Sequence, residues 1–346
     1  MLRRGALVIA VALAAAGCQA QSDRGQLRDE QAAQIASKAR AERRAVLGLS
    51  PERAAAGLML VGFAGTGADA PMMRRLRARD FGGIVLGAGN YADDAQLATL
   101  VGAIVAAARR AHHAPPVVFA DRLPVALGTL HAAHVGATFG PTADLAITGG
   151  PHERDAFSDD PQATARVVEH TVAIRSAAHV ASAIGHFPGE GSAAGDPELQ
   201  PAPVGQSLDA LRHADLVPFR RVIHKVSAVQ MSNALYAAFD GVTPATELPQ
   251  AVARLRGLGF HGVVVSGDLT VAAMVGGDSV AATAVAALRA GCDLLYVPGD
   301  AANQEEAYRA VLAAVRRGRV TRERLADALL HVAAFKRSVI ERTNAR

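Results

Sequence analysis

Ile184–Glu198, IGHFPGEGSAAGDPE, is the stretch from which the fold can be read. It follows Val180–Ile184, a run of small and β-branched residues with the composition of a strand buried on both faces. The chain then breaks into Gly and Pro, and within thirteen residues it carries His186, Glu190, Asp196 and Glu198. A buried strand that opens into a loop bearing acids and an imidazole is how an α/β barrel places chemistry at the C-terminal ends of its strands.

Outward from this stretch, the same unit recurs. Apolar runs at Leu58–Phe63, Gly83–Leu86, Val117–Ala120, Ala143–Thr148, Ala181–His186, Ala228–Ser232, Gly262–Ser266 and Asp293–Val297 read as eight strands. Helices fall between them, at Pro71–Arg79, Asp93–Ala111, Pro161–Ala178, Asp215–His224, Glu247–Leu258 and Ser279–Ala290. Asn303–Arg317 and Thr321–Lys336 close the chain as two more. Strands that are continuously apolar rather than alternating belong in a parallel sheet covered on both faces. Eight βα units over about 250 residues give a TIM-type (β/α)8 barrel, α/β in class. The least regular part is Arg122–Gly140, so distortion is expected around strands three and four. An open doubly wound sheet is the alternative; no G-x-G-x-x-G follows the first strand, which weakens a nucleotide reading.

Half of the 346 residues are apolar, enough for a large core, and Trp is absent. Of 36 basic and 32 acidic residues, Arg3 and Arg4 lie in a leader-like segment, so the remainder is near neutral and shows no basic stripe for nucleic acid. Ala6–Ala16 is an apolar run too short to span a bilayer, and Ala15-Ala16-Gly17-Cys18 resembles a bacterial lipobox. This predicts a signal peptide over 1–17, lipidation of Cys18, and an exported lipoprotein of the outer membrane facing the periplasm; an ordinary secretory signal is the alternative. Residues 18–49 read as a tether, helical from about Gln26 to Leu47 or else a flexible linker. Ser50-Pro51 then caps the first helix of a domain over 50–346. Cys292 reads as a buried, inert thiol.

His186-Phe187-Pro188-Gly189, Gly191 and Asp196 resemble the K-H-F-P-G-H-G, D-[ST]-H loop of bacterial β-N-acetylglucosaminidases of glycoside hydrolase family 3. The resemblance extends from Gly57–Phe63 through Gly82–Leu86 and Asn90, Phe139–Leu145, Phe157–Pro161, Asp215–Phe219 and Met231 to Gly262–Ser266. It implies that Asp121, Arg154, His186 and Asn233 bind sugar, and that the substrate class is an N-acetylglucosamine-containing glycan such as a peptidoglycan fragment. No cofactor is expected. The departures fall on catalytic positions. Glu198 stands where the family has its acid/base His, Gly267 where it has its nucleophilic Asp, Gly185 replaces a Lys, and Arg122–Val125 replaces Q-E-G-G. Asp268 is one residue late, and one residue turns a strand side chain to the other face.

Three readings follow. One is a catalytically impaired barrel that binds a cell-wall sugar or a partner. A second is an active glycosidase with a rebuilt site, using Asp268 with Glu190 or Glu198, and Asp196 nearby. A third is an envelope interaction protein that keeps only the barrel. Taken singly, His186 is expected to bond locally, Glu190 and Glu198 to be solvated, and Asp268 to cap the helix that starts at Leu269. His131, His134, His152 and His170 lack metal-ligand spacing, so no metal is expected.

Overall fold

The computed structural model describes residues 31–343; the expected signal peptide over 1–17, the lipidation expected at Cys18 and the first part of the expected tether fall outside them. Residues 31–47 form a helix, α1, within a unit separate from the one that begins at Leu49. In the second unit Ser50 caps α2 (Pro51–Gly57) by accepting from the Arg53 amide at 3.3 Å.

Eight parallel strands build the second unit: β1 (Met59–Gly62), β2 (Gly83–Leu86), β3 (Val117–Ala120), β4 (Ala137–Thr142), β5 (Ala181–Phe187), β6 (Ala228–Met231), β7 (Val263–Val265) and β8 (Leu295–Val297). Their hydrogen-bonded order runs β8-β1-β2-β3-β4-β5-β6-β7. A parallel bridge between Val265 and Leu294 brings the two ends together, so the sheet closes as a barrel. Every residue of β1, β2, β3, β6, β7 and β8 is buried, which is why these strands read as unbroken apolar runs. The helices that cover them include α3 (Pro71–Ala78), α4 (Asp94–Arg110), α5 (Leu127–Ala132), α6 (Pro161–Ala177), α7 (Leu208–His213), α8 (Leu216–Val222), α9 (Pro249–Gly257), α10 (Leu269–Gly276), α11 (Val280–Ala290), α12 (Ala301–Arg316) and α13 (Arg322–Thr343).

Strand four corrects the sequence reading. It occupies Ala137–Thr142, and residues 143–148 are loop. Gly140-Pro141 looks like a break in the sequence, yet the register shifts between Phe139 and Gly140, and Gly140 takes a φ of +77°. A bulge absorbs a residue that lacks an N–H and lets the strand continue. The distortion expected near strands three and four is real: α5 has only six residues.

Candidate functional site

The site forms at the C-terminal end of the barrel, and its foundation is Asp144, just past β4. This carboxylate is fully buried. Its Oδ1 accepts from the Glu190 amide at 2.7 Å, and its Oδ2 accepts from the His186 amide at 3.1 Å and the Thr142 hydroxyl at 2.6 Å. One side chain thereby folds the whole His186–Glu190 turn back onto the barrel. Tyr236 adds a second tie, donating its hydroxyl to the Gly189 carbonyl at 2.8 Å. Glycine is required at 189: φ is +119°, and a Cβ there would sit 2.5 Å from that of Asp215.

Around Asp144 the turn assembles two imidazoles and a second carboxylate. His186 Nδ1 lies 3.0 Å from Asp144 Oδ2 and 3.3 Å from Glu190 Oε2. His152 Nε2 lies 3.1 Å from Glu190 Oε2 and 3.7 Å from Asp144 Oδ2. The two rings stack, with centroids 5.4 Å apart. Burial presses the His186 pKa down, but the charges of Glu190 and Asp144 outweigh it and raise the ring to about 10. His152 is raised in the same way, burial again losing to Glu190 and Asp144. Asp144 is driven down: burial works upward and is overcome by the His186 hydrogen bond and the two imidazole charges. Glu190 is 1% exposed, so the expectation that it is solvated is corrected; its backbone amide is what holds it beneath the surface.

Across the mouth stand Asp121 after β3, Asp268 after β7 and Glu198 on the long loop. Burial raises the Asp121 carboxyl, against the pull of Arg122 and His186. Burial also raises Asp268, although its Oδ1 accepts from the Thr270 amide at 2.8 Å and the Thr270 hydroxyl at 2.7 Å. That is the helix-capping role expected of it, at the start of α10. Glu198 is open to solvent, as expected, yet crowding by the surrounding wall and the like charges of Glu190, Asp268 and Asp196 push its carboxyl up, against His186. Water reaching this side chain screens part of that crowding. The Tyr296 hydroxyl, on β8, lies within electrostatic reach of Asp121, Asp268 and Glu198; burial first, then those charges, raise it.

Between the two walls lies Asn233, 1% exposed. Its backbone amide donates to Glu190 Oε1 at 3.3 Å, and its side-chain amide donates to the Asp268 carbonyl at 3.1 Å. Its Oδ1 has no hydrogen-bond partner. A Cβ added to Gly267 would fall 2.2 Å from that oxygen. The volume beside residue 267 is occupied by the Asn233 amide.

Of the sequence-proposed residues, the mouth thus gathers Asp121, His186, Glu190, Asn233, Glu198 and Asp268. Asp196 serves its own turn, accepting from the Glu198 amide at 2.9 Å. Arg154 is exposed, and His152, two residues earlier, enters the cluster instead. His152 was read as one of several scattered histidines. Its partners Glu190 and Asp144 lie 38 residues downstream and 8 upstream, so no local spacing reveals it; the Gly149-Gly150-Pro151 break before it is the only hint. Asn90 braces its own loop, donating to the carbonyls of Phe63 and Gly65 at 3.0 and 2.8 Å. Cys292 is buried, and burial pushes its thiol up to about 12, in keeping with an inert role.

Comparison with known proteins agrees with this architecture. The model of the glycosyl hydrolase family 3 N-terminal domain matches residues 126–335. A β-hexosaminidase of Xanthomonas campestris is 32% identical over 282 residues, covering 69% of this chain and 84% of that one. One from Pseudomonas aeruginosa is 34% identical over 215 residues, covering 58% and 62%. Among solved structures, a glycoside hydrolase family 3 β-N-acetylglucosaminidase from a Paenibacillus species superposes with a TM-score of 0.80 at 26% identity, over 86% of this chain and 64% of that one. A β-N-acetylhexosaminidase from Beutenbergia cavernae has the same fold, with a TM-score of 0.73 over 83% and 98% of the two chains.

Proposed function

This chain belongs to glycosyl hydrolase family 3, and from that premise we propose that its barrel mouth binds N-acetylglucosamine-containing glycans of the cell wall without performing the family's double-displacement hydrolysis. The observation that carries this reading is the packing of Asn233 against Gly267. Retaining hydrolysis needs a carboxylate that attacks the anomeric carbon and a separate proton donor across the bond; where both are carboxyl groups they stand about 5–5.5 Å apart. By the family pattern, the attacking group would spring from residue 267. Here that residue is glycine, and the space its side chain would use holds an amide. Asp268, next in line, spends one oxygen on capping α10.

What remains suits binding. Asn233 Oδ1 is a buried acceptor without a donor, and a turn of its side chain towards the opening would let a sugar hydroxyl or acetamido N–H satisfy it. Asp121, Glu198 and the imidazole of His186 offer further polar contacts around the same opening. The leader-like N-terminus and Cys18 support, as part of this proposal, a lipid anchor facing the periplasm.

A second reading keeps hydrolysis, with Glu198 as acid and Asp268 as the base for an attacking water. The upward shift of the Glu198 carboxyl favours it, since a group that holds its proton near neutrality can donate it. A soluble form beginning at Gln19 separates the two. It is incubated with a fluorogenic N-acetylglucosaminide and, in parallel, melted with and without N-acetylglucosamine and peptidoglycan fragments. Sugar-dependent stabilisation without turnover supports the binding reading. Turnover that Asp268→Asn abolishes overturns it. Neither signal leaves an interaction protein built on the barrel.

A further inference from the structure

We propose that Asp144, His152, His186 and Glu190 form a closed, tetrahedral site for a divalent transition-metal ion of the zinc class. The four ligand atoms, Asp144 Oδ2, His152 Nε2, His186 Nδ1 and Glu190 Oε2, all lie within 4.8 Å of one another. The four imidazole-to-carboxylate separations are 3.0, 3.1, 3.3 and 3.7 Å. Zinc bonds to nitrogen and carboxylate oxygen of about 2.0–2.1 Å place neighbouring tetrahedral ligands about 3.3–3.4 Å apart, a spacing these four edges approach; the imidazole–imidazole and carboxylate–carboxylate edges, within 4.8 Å, would draw in around the ion. Two imidazoles and two carboxylates are a donor set for zinc rather than for magnesium or calcium, which take oxygen ligands.

The surroundings are those of a metal site. Each carboxylate spends one oxygen on the backbone, Asp144 Oδ1 on the Glu190 amide and Glu190 Oε1 on the Asn233 amide, and turns the other inward. Thr142 and the His186 amide orient the inward oxygen of Asp144 from behind. Outer hydrogen bonds of this kind fix ligand orientation. The ligands come from the β4 end, the loop before α6 and the β5 end, so an ion would staple three chain segments. Four protein ligands leave no open position, which makes the site structural; it would hold the His186–Glu190 turn rather than activate water. His186 coordinating through Nδ1 keeps its Nε2 for other contacts.

The test uses chelator-treated protein titrated with zinc chloride by calorimetry and with cobalt chloride by visible spectroscopy. We expect one equivalent of zinc, the intense visible bands of tetrahedral cobalt(II), and a raised melting temperature. His152→Gln and Glu190→Gln should each weaken zinc binding at least about tenfold. His213→Ala, on an exposed helix, should leave it unchanged. Circular dichroism reports whether each variant folds. Absence of stoichiometric binding by the parent, a weak octahedral cobalt spectrum, or equal stabilisation by magnesium overturns the site. So does zinc binding unaltered in both folded ligand variants. The cobalt spectrum of the parent decides even if neither variant folds.

Discussion

The two ends of this barrel hold their acids in opposite ways. At the N-terminal end, Asp293 leads into β8, is fully buried, and is matched on every side. Arg256 approaches its Oδ2 at 2.7 Å, His331 Nδ1 at 3.1 Å and the Val264 amide at 3.0 Å, while Arg324 bonds Oδ1. Burial would raise this carboxyl, yet His331, Arg324 and Arg256 hold it below its ordinary range. At the C-terminal end Asp144 and Glu190 are matched by imidazoles, but Asp121, Glu198 and Asp268 around the mouth are all raised, and no guanidinium among the described residues bonds any of the three. Conserving charge balance at one end and leaving acids in surplus at the other is how a barrel separates holding itself together from meeting a ligand.

The sharpest way to break the comparison is to remove the matched acid. Asp293→Ala leaves two arginines and a histidine around a buried void and unties α9 and α13 from the strand ends. Losing one partner of a buried charge network costs about 3–5 kcal/mol. Urea unfolding should show that loss, while the mouth variant Asp268→Asn should unfold close to the parent.

The next effect concerns an acid buried without a match. Asp215 is fully buried beneath Gly189, and neither of its carboxylate oxygens has a well-formed hydrogen bond; its own backbone amide and the Gln206 side chain lie alongside and only weakly favour its charge, and Gln206 Oε1 lacks a donor. Burial, followed by the charge of Asp144, raises Asp215 to about 7. A protonated Asp215 would donate to Gln206 and relieve both. Because the folded state holds the proton more tightly than the unfolded chain, stability is greatest below the unfolded pKa near 4. It falls as pH rises towards 7. Asp215→Asn should match the parent at pH 4 and exceed it by on the order of 4 kcal/mol at pH 8. Parallel pH dependences for the two proteins would show that Asp215 is ionised at no such cost.

The barrel was legible because burial writes itself into sequence: seven of the eight strands overlap the apolar runs that predicted them. Strand four was misplaced because Gly140-Pro141 satisfies the rules of a turn while serving as a bulge. The site was legible in parts. His186, Glu190, Glu198 and Asp268 were found because they sit at strand ends or on the loop, where position alone suggests chemistry. The depth of Glu190 and the entry of His152 were not, because both depend on Asp144, whose contacts to His186 and Glu190 span 42 and 46 residues. The blockage of residue 267 was likewise invisible, since it depends on where Asn233 sends its amide.

That blockage yields an intermediate effect. Gly267→Asp should destabilise the protein by about 1–3 kcal/mol, the usual cost of overpacking a filled site. Asn233→Ala should recover part of the loss when combined with it, giving a coupling of about 0.5–3 kcal/mol in a double-mutant cycle. Additive losses would mean that the two side chains do not compete for one space.

The smallest effect is read at Glu198, where the surplus of acid at the mouth can be measured directly. Its side chain is solvent-exposed, so its ionisation should scarcely move global stability; what it reports is local potential. Carboxyl carbon resonances followed by NMR should give a midpoint above the ordinary glutamate value of 4.5, since crowding and the charges of Glu190, Asp268 and Asp196 oppose ionisation more than His186 favours it. Asp268→Asn removes one of the like charges and should bring the midpoint down; adding salt should lower it too, by screening those that remain. A midpoint that stays put in both experiments would mean that solvent already neutralises the mouth, and the contrast between the two ends of the barrel would then rest on Asp293 alone.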